Sequence, residues 1–183
     1  MPYTDYDQTP YPSLSHSSTH PDRMATLAAL LGVTAAPITG CRVLELGCAS
    51  GGNLIPMAFA LPDSEFVGVD ISSRQIDAGR ASASALGLGN VTLTCGDIAD
   101  VAPGWGQFDY VIAHGVYSWV PPAIQDGVLR VCKQNLAPRG VALVSYNTYP
   151  GWHVMNIVRD AMFYRTRHVL SLEARVAQSR ALL

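Results

Sequence analysis

The chain has 183 residues, of which 49% are hydrophobic and 14% are charged, and its formal net charge is −2 at pH 7. That length is enough for one domain with a buried core, and the composition excludes a disordered chain. The absence of a basic cluster argues against a nucleic-acid backbone as the main partner. The sequence contains no apolar stretch of about 18 residues, so no membrane span is predicted.

The cysteines and the N-terminus indicate a compartment. Cys41, Cys48, Cys95 and Cys132 have no CxxC spacing, so they predict core residues rather than a zinc site or a disulfide framework. The first residues contain neither the basic nor the apolar region of a signal peptide. We therefore expect a cytoplasmic protein with reduced thiols and no metal site.

Residues 1–40 are predicted to form an arm and a helix. Residues 1–19 are rich in Tyr, Pro, Ser and Thr and lack a core pattern. Thr19 is predicted to cap the helix that follows. Tyr11 and His20 are interpreted as residues that pack this leader on the sheet, and a lid over a ligand is the alternative interpretation.

A glycine-rich turn at residues 47–52 follows a short apolar run that contains the acid Glu45. Strand, glycine turn and helix begin a nucleotide-binding βαβ unit, and Gly51 is expected to stay small because the ligand passes close to it. A dinucleotide fingerprint would have a glycine at the position of Ala49. This disfavours a nicotinamide-dependent oxidoreductase, which remains a competing interpretation.

Acids also follow the next two predicted strands. Asp70 ends the second strand, 23 residues after Gly47, which is near the ~20 residues expected for a ribose-binding acid. Ser72 and Gln75 form a capping-box pattern, which is taken to leave Asp70 for a ligand. Asp97 lies after the third strand, where it either bonds an adenine amino group or caps a helix.

The second half of the chain is predicted to contain two more strands and three helices. The strands span residues 108–113 and 141–146, with a helix at 122–136 and a break at 137–140. Two helical stretches, about 154–169 and 172–183, follow, and no segment after Tyr146 alternates as a strand would.

The loops after the fourth and fifth strands carry the candidate acceptor site. His114 and Tyr117 are the best-placed polar residues to act in catalysis, although for Tyr117 a role in the pocket wall is favoured over base catalysis. Asn147 and Tyr149 are expected on the opposite side of the same rim, because parallel strands end at one edge of the sheet.

Taken in order over about residues 41–145, these motifs resemble those of class I S-adenosylmethionine-dependent methyltransferases. The end loops resemble a bacterial subgroup whose longer members carry a C-terminal methyltransferase regulatory domain. The resemblance implies an α/β, Rossmann-like, doubly wound and mostly parallel sheet that lacks its last strands here. It implies S-adenosylmethionine as the cofactor. The residues that it assigns to cofactor binding are Glu45, Gly47, Cys48, Ala49, Gly51, Asn53, Asp70, Ile71, Gln75, Asp97, Ile98 and His114.

The same resemblance implies an organisation and a function. Residues 1–40 are the arm and helix, 41–150 the cofactor-binding core, and 151–183 the start of a substrate or regulatory region. The implied activity is methyl transfer to an unidentified acceptor, and a protein lysine is suggested because some relatives are protein-lysine methyltransferases. A small-molecule methyltransferase and a non-catalytic cofactor-binding module are the alternatives. The missing strands predict a fifth strand at an exposed edge, either covered by the last helices or used for self-association.

Overall fold

The computed structural model describes residues 12–182, so the interpretation of Tyr11 lies outside the described residues. The first compact unit, which ends at Tyr146, is built on a five-stranded sheet in which every neighbouring pair is parallel. The strand order is β3-β2-β1-β4-β5. The strands are β1 Arg42–Leu46, β2 Glu65–Asp70, β3 Val91–Cys95, β4 Phe108–Ala113 and β5 Leu136–Val144. This is the predicted doubly wound α/β fold, and its order reverses between β1 and β4.

Helices connect the strands and form the second unit. The helices of the first unit are α1 Pro21–Leu30, α2 Leu54–Ala60, α3 Ser73–Ala85 and α4 Pro122–Asn135. The second unit begins at Asn147 and consists of α5 Gly151–Thr166 and α6 Leu172–Arg180. No strand follows β5 within residues 147–182, as the sequence predicts. In the part of the chain that the structure describes, no helix has the length and apolar character needed to cross a membrane.

Both faces of the sheet are buried, because side chains alternate along each strand. Val43 of β1 belongs to the apolar cluster that contains residues of α1, α2 and α3. Its neighbour Leu44 belongs to a second cluster, together with Val128 and Val131 of α4. Helices on both faces direct a ligand to the edge where the strands have their carboxyl ends, and to the β1–β4 reversal in particular.

The start of α1 differs from the prediction. Its N-cap is His20, whose Nδ1 accepts a hydrogen bond from the Asp22 N–H at 3.2 Å. The prediction that Thr19 caps this helix is wrong, because Thr19 is fully buried and bonds to another part of the chain. His20 accordingly serves the helix end, and the choice between a packing role and a lid role for the leader stays a prediction.

The start of β5 also differs. The strand begins at Leu136, which pairs with Phe108, and the predicted break at 137–140 lies inside it. The register shifts before the next pair, Tyr110 with Val141. The interrupted stretch contains Pro138, which has no N–H to donate to a neighbouring strand. A proline at such a position therefore predicts a break in the strand.

Candidate functional site

A cavity of about 300 Å³ opens where β1, β2, β3 and β4 have their carboxyl ends. Its walls contain three acids, Glu45, Asp70 and Asp97, and two imidazoles, His16 and His114. Within residues 12–182, no lysine or arginine lines it. An acidic wall without a compensating cation favours a ligand that carries positive charge and disfavours an anion.

The first three residues of the turn after β1 bond their backbone N–H groups within the protein. The N–H groups of Gly47 and Cys48 donate to the Val69 carbonyl oxygen at 2.8 and 3.1 Å. The N–H of Ala49 donates to Asp70 Oδ2 at 2.8 Å. A phosphate-binding turn needs such donors for its ligand. The N–H groups of Gly47, Cys48 and Ala49 therefore have partners other than a ligand phosphate.

Three residues of the turn adopt a left-handed backbone, among them Gly47 with φ of 75°. Ala49 has φ of 50° and Gly51 has φ of 72°. Gly51 does not line the cavity, and a Cβ placed on it would lie 3.1 Å from Leu93 Cδ1 and 3.3 Å from Ile55 Cδ1. The structure thus accounts for Gly51 by its backbone conformation and by core packing, rather than by the close passage of a ligand that the sequence suggested.

Asp70 is held by the backbone on both sides. Its Oδ2 accepts from the Ala49 N–H, and its Oδ1 accepts from the Ser72 N–H at 2.9 Å. Ser72 caps α3 by accepting from the Gln75 N–H at 3.3 Å, as predicted. The ligand role inferred for Asp70 from this cap stays a prediction. The two bonds from Ala49 and Ser72 fix the orientation of the carboxylate at the cavity wall.

Asp97 combines the two roles that the sequence left open. It lines the cavity, and its Oδ1 also accepts from the Ala99 N–H at 2.8 Å, so it caps the short 3₁₀ helix Ile98–Asp100. The cavity wall at this end continues with Ile98 and Ile71.

Glu45 is the most deeply buried acid of the site, with 4% of its surface exposed. Its Oε1 accepts from Asn53 Nδ2 at 2.8 Å. Its Oε2 is buried and has no hydrogen-bond partner among residues 12–182. Burial raises the pKa of Glu45 to about 7, against the opposing effect of the Asn53 bond. The cavity therefore contains a carboxyl group whose charge depends on what binds next to it.

Asn53 connects Glu45 to residues 13–19, which we call the N-terminal segment. Asn53 Nδ2 also donates to Thr19 Oγ1 at 2.9 Å, and Asn53 Oδ1 accepts from the His16 N–H at 2.9 Å. Farther along the turn, the Gly52 N–H donates to Ser13 Oγ at 2.8 Å. The residues of the segment that line the cavity are Ser13, Leu14 and His16.

His16 was missed by the sequence analysis, because its contacts come from distant parts of the chain. Its ring lies against the ring of His114, with 4.3 Å between centroids. His114 Nδ1 is buried and without a hydrogen-bond partner in the described chain. Desolvation, followed by the nearby His16, lowers the pKa of His114. The His114 imidazole is therefore neutral at pH 7.

The structure brings most of the predicted site together. Tyr117 does not line the cavity; it lies in the 3₁₀ helix Tyr117–Trp119, with its ring 6.4 Å from the ring of Tyr146. A catalytic role for Tyr117 stays a prediction, as do the roles of Asn147 and Tyr149. Among residues 12–182, no cluster of His, Cys, Asp and Glu could hold a metal ion. The predicted cofactor residues that line the cavity are Glu45, Gly47, Cys48, Ala49, Asn53, Asp70, Ile71, Gln75, Asp97, Ile98 and His114.

Comparison with known proteins agrees with this geometry. Residues 44–142 match the methyltransferase domain family. Two uncharacterised proteins of Rickettsia prowazekii are similar to the chain. One is 44% identical over 99% of this chain and 33% of its own length. The other is 38% identical over 97% of this chain and 71% of its own length.

A solved structure is also similar. PKMT2 from Rickettsia typhi, in complex with AdoHcy, superposes with a TM-score of 0.85 at 38% identity. The match covers 94% of this chain and 33% of PKMT2. The chain thus spans about a third of the length of PKMT2 and of the first Rickettsia prowazekii relative.

Proposed function

Because the chain belongs to the class I S-adenosylmethionine-dependent methyltransferases, we propose that its cavity binds S-adenosylmethionine and that the protein transfers the methyl group to an acceptor. The acidic cavity wall carries this proposal. S-adenosylmethionine has a sulfonium and an ammonium group and no phosphate, whereas a nicotinamide dinucleotide would bring the negative charge of a pyrophosphate to an acidic cavity wall.

The residues present fit this cofactor. The unpartnered Oε2 of Glu45 suits the ammonium group, and Asp70 suits the two ribose hydroxyls. Asp97 and Ile98 suit the adenine ring, with Ile71 and Gln75 completing that wall. The walls beside the methionine end are formed by Gly47, Cys48, Ala49 and His114.

S-adenosylmethionine supplies an electrophilic methyl group on a sulfonium, and its neutral thioether product leaves without needing an acid. The work of the protein is to position the acceptor and exclude water, which can contribute roughly 7–11 kcal/mol. An amine acceptor with a pKa of ~10.4 must first lose a proton. His114, kept neutral by burial, is the cavity residue best suited to receive it.

For the acceptor, we propose a side-chain amine of a protein lysine. The similarity to PKMT2 and to the bacterial subgroup supports this choice. A small-molecule acceptor is the second candidate, since the family model covers only the methyltransferase domain itself. Residues 151–183 are proposed to begin the region that presents the substrate, and residues 1–40 and 41–150 the arm and the cofactor-binding core. A cytoplasmic location also stays part of the proposal.

Calorimetry tests the cofactor. We expect S-adenosylmethionine and S-adenosylhomocysteine to bind and NAD to give no heat of binding. Binding of NAD alone would contradict the proposal. Replacing Asp77, which pairs with Arg80 on the surface, by alanine provides a control variant that should bind the first two ligands as the native chain does and give no heat with NAD.

A labelling experiment tests the acceptor. The protein is incubated with methyl-labelled S-adenosylmethionine and a cell lysate, and the products are separated into protein, nucleic-acid and small-molecule fractions. We expect label in the protein fraction, released as methyl-lysine on hydrolysis. Label in the small-molecule fraction alone would show the second candidate to be correct. Cofactor binding without any transfer would indicate a non-catalytic module.

A further inference from the structure

The side chain of Asn53 hydrogen-bonds to two parts of the site. Its Nδ2 donates to Glu45 Oε1 at 2.8 Å and to Thr19 Oγ1 at 2.9 Å. Its Oδ1 accepts from the His16 N–H at 2.9 Å. Asn53 and Thr19 are both buried, with exposed fractions of 5% and 0%. A loss of either side of this network would leave buried polar groups unpaired, which is costly.

The orientation of the Asn53 amide is fixed by its partners. The His16 backbone N–H can only donate, so it must face the Asn53 oxygen. The Asn53 amino group must then face Glu45, whose Oε1 accepts from it. Any proton on Glu45 is consequently placed on Oε2, the buried atom that has no partner in the described residues.

From this arrangement we propose that Asn53 is a positioning residue that couples the N-terminal segment to the charge of Glu45. The ammonium group of the cofactor and the docked segment then stabilise each other. The inference rests on the proposed function, because it requires a ligand whose amine lies at Glu45. It adds a role for the segment and for Asn53 that cofactor contact alone does not give.

The physical basis is the strength of one hydrogen bond. A bond to an ionised carboxylate is roughly twice as strong as a bond to a neutral one. An ammonium group next to Oε2 ionises Glu45, strengthens the bond from Asn53, and fixes the amide that holds His16 and Thr19. By linkage, a segment that is docked must raise the affinity for the amine by the same factor.

The docked segment also forms a wall at the methionine end of the cavity. His16 lies against His114, and Ser13 accepts from the Gly52 N–H. The adenine end, with Asp97 and Ile98, is lined by residues that follow β3. Displacement of the segment should therefore affect the amino-acid part of the ligand more than its nucleoside part.

Gly52 offers a way to displace the segment without altering Glu45 or Asn53. A Cβ on Gly52 would lie 2.8 Å from the backbone carbon and oxygen of Ser13. Gly52 does not line the cavity, and its backbone is not in the left-handed region. Gly52→Ala should thus push the segment off the turn. Gly89→Ala is the matched control, because a Cβ on Gly89 meets nothing within 4 Å.

The test compares two ligands by calorimetry. S-adenosylhomocysteine carries the amine, and 5′-methylthioadenosine shares the nucleoside but lacks it. We expect Gly52→Ala to lower the affinity for S-adenosylhomocysteine about ten-fold and the affinity for 5′-methylthioadenosine less than about three-fold. A coupling of this size is in the usual range. Gly89→Ala should change neither. Equal losses for both ligands, or no loss, would overturn the coupling.

Hydrogen exchange gives a second readout that a structural defect in Gly52→Ala cannot imitate. In the native chain, S-adenosylhomocysteine should slow exchange of the His16 amide, and 5′-methylthioadenosine should slow it less. Ser13→Ala, which removes only the acceptor of the Gly52 N–H, should reduce the difference. Equal protection by both ligands would contradict the proposal. A native chain that binds neither ligand would instead overturn the proposed function.

Discussion

Glu45 and Asp70 belong to neighbouring strands of one sheet and line one cavity, yet the protein holds them in different ways. Both oxygens of Asp70 accept from backbone N–H groups, those of Ala49 and Ser72. Glu45 accepts from one side chain, Asn53, and its second oxygen is buried without a partner in the described residues.

The difference teaches how one edge of a sheet supplies two kinds of carboxylate. Backbone donors fix the position of Asp70, which suits a hydrogen-bonding role towards ribose hydroxyls. Desolvation raises the pKa of Glu45 to about 7, so its charge near neutral pH is set by the ligand. The first group orients a neutral part of the cofactor, and the second responds to a charged part.

The largest expected effect comes from removing the fixed acid. Asp70→Ala should lower the affinity for S-adenosylhomocysteine about a hundred-fold or more, because two charge-assisted hydrogen bonds to the ribose hydroxyls, of ~1.5–3 kcal/mol each, are lost. Asp77→Ala, which removes an exposed acid, is the control for net charge. Calorimetry measures both. Unchanged affinity of Asp70→Ala would remove Asp70 from the cofactor site.

The pH dependence of stability examines the responsive acid. The native pKa of Glu45 is raised from 4.5 to about 7, so between these values the native state binds more protons than the unfolded state. The contribution of Glu45 is fully present below pH 4.5 and is lost as the pH rises through 7, a change of about 3 kcal/mol. Urea unfolding of the ligand-free protein at several pH values measures it.

Glu45→Gln isolates this contribution. The variant should lose the decline in unfolding free energy towards pH 7 and reveal the opposite slope from His114, whose lowered pKa makes stability rise with pH below 6.5. A native protein and a variant with parallel profiles would show that Glu45 has an ordinary pKa.

A third variant measures how much core packing at Gly51 contributes to stability. Gly51→Ala should destabilise the protein by about 2 kcal/mol, from its left-handed backbone and from its contacts with Leu93 and Ile55. Gly87→Ala is matched to it, because Gly87 has φ of 67° and no neighbour within 4 Å. The difference between the two unfolding free energies is the packing cost. Equal values would show that Gly51 is needed for its backbone alone.

The smallest effect is a gain. Ala49 has a left-handed backbone with φ of 50°, which costs an alanine roughly 1–2 kcal/mol relative to a relaxed conformation. Ala49→Gly should raise the free energy of unfolding by about 1 kcal/mol, less the entropy that glycine loses. The backbone N–H at position 49 should still donate to Asp70 in this variant. A loss of stability would mean that the alanine methyl group contributes packing that outweighs the strain.

The same comparison shows what sequence can and cannot predict. Acids that end parallel strands, such as Asp70, were identified because topology alone brings strand ends to one edge. The hydrogen-bond partners of Asp70 and the core neighbours of Gly51 were not identified, because short-range sequence patterns do not give tertiary contacts. The absence of a strand in residues 147–182 followed from hydrophobic periodicity. The doubly wound sheet followed from the family resemblance, and the order of its strands comes from the structure.

The contacts of the N-terminal segment were not predicted from the sequence for a different reason. Thr19 has the residue type of a helix cap, and local propensity favoured that role. Its actual partner, Asn53, is 34 positions away, and a tertiary hydrogen bond in a buried site outweighed the local preference. His16 carried no signal at all, since a single histidine in a polar arm is as compatible with solvent as with a cavity wall.

Proton release on binding tests the central claim most directly. Glu45 has a pKa of about 7 in the ligand-free protein, so binding of S-adenosylhomocysteine at pH 7 should release about half a proton. Calorimetry in two buffers of different ionisation enthalpy measures this number. We expect release in the native chain, and none with Glu45→Gln or with 5′-methylthioadenosine. Binding without proton release, or equal release by both ligands, would contradict a cofactor ammonium group at Glu45.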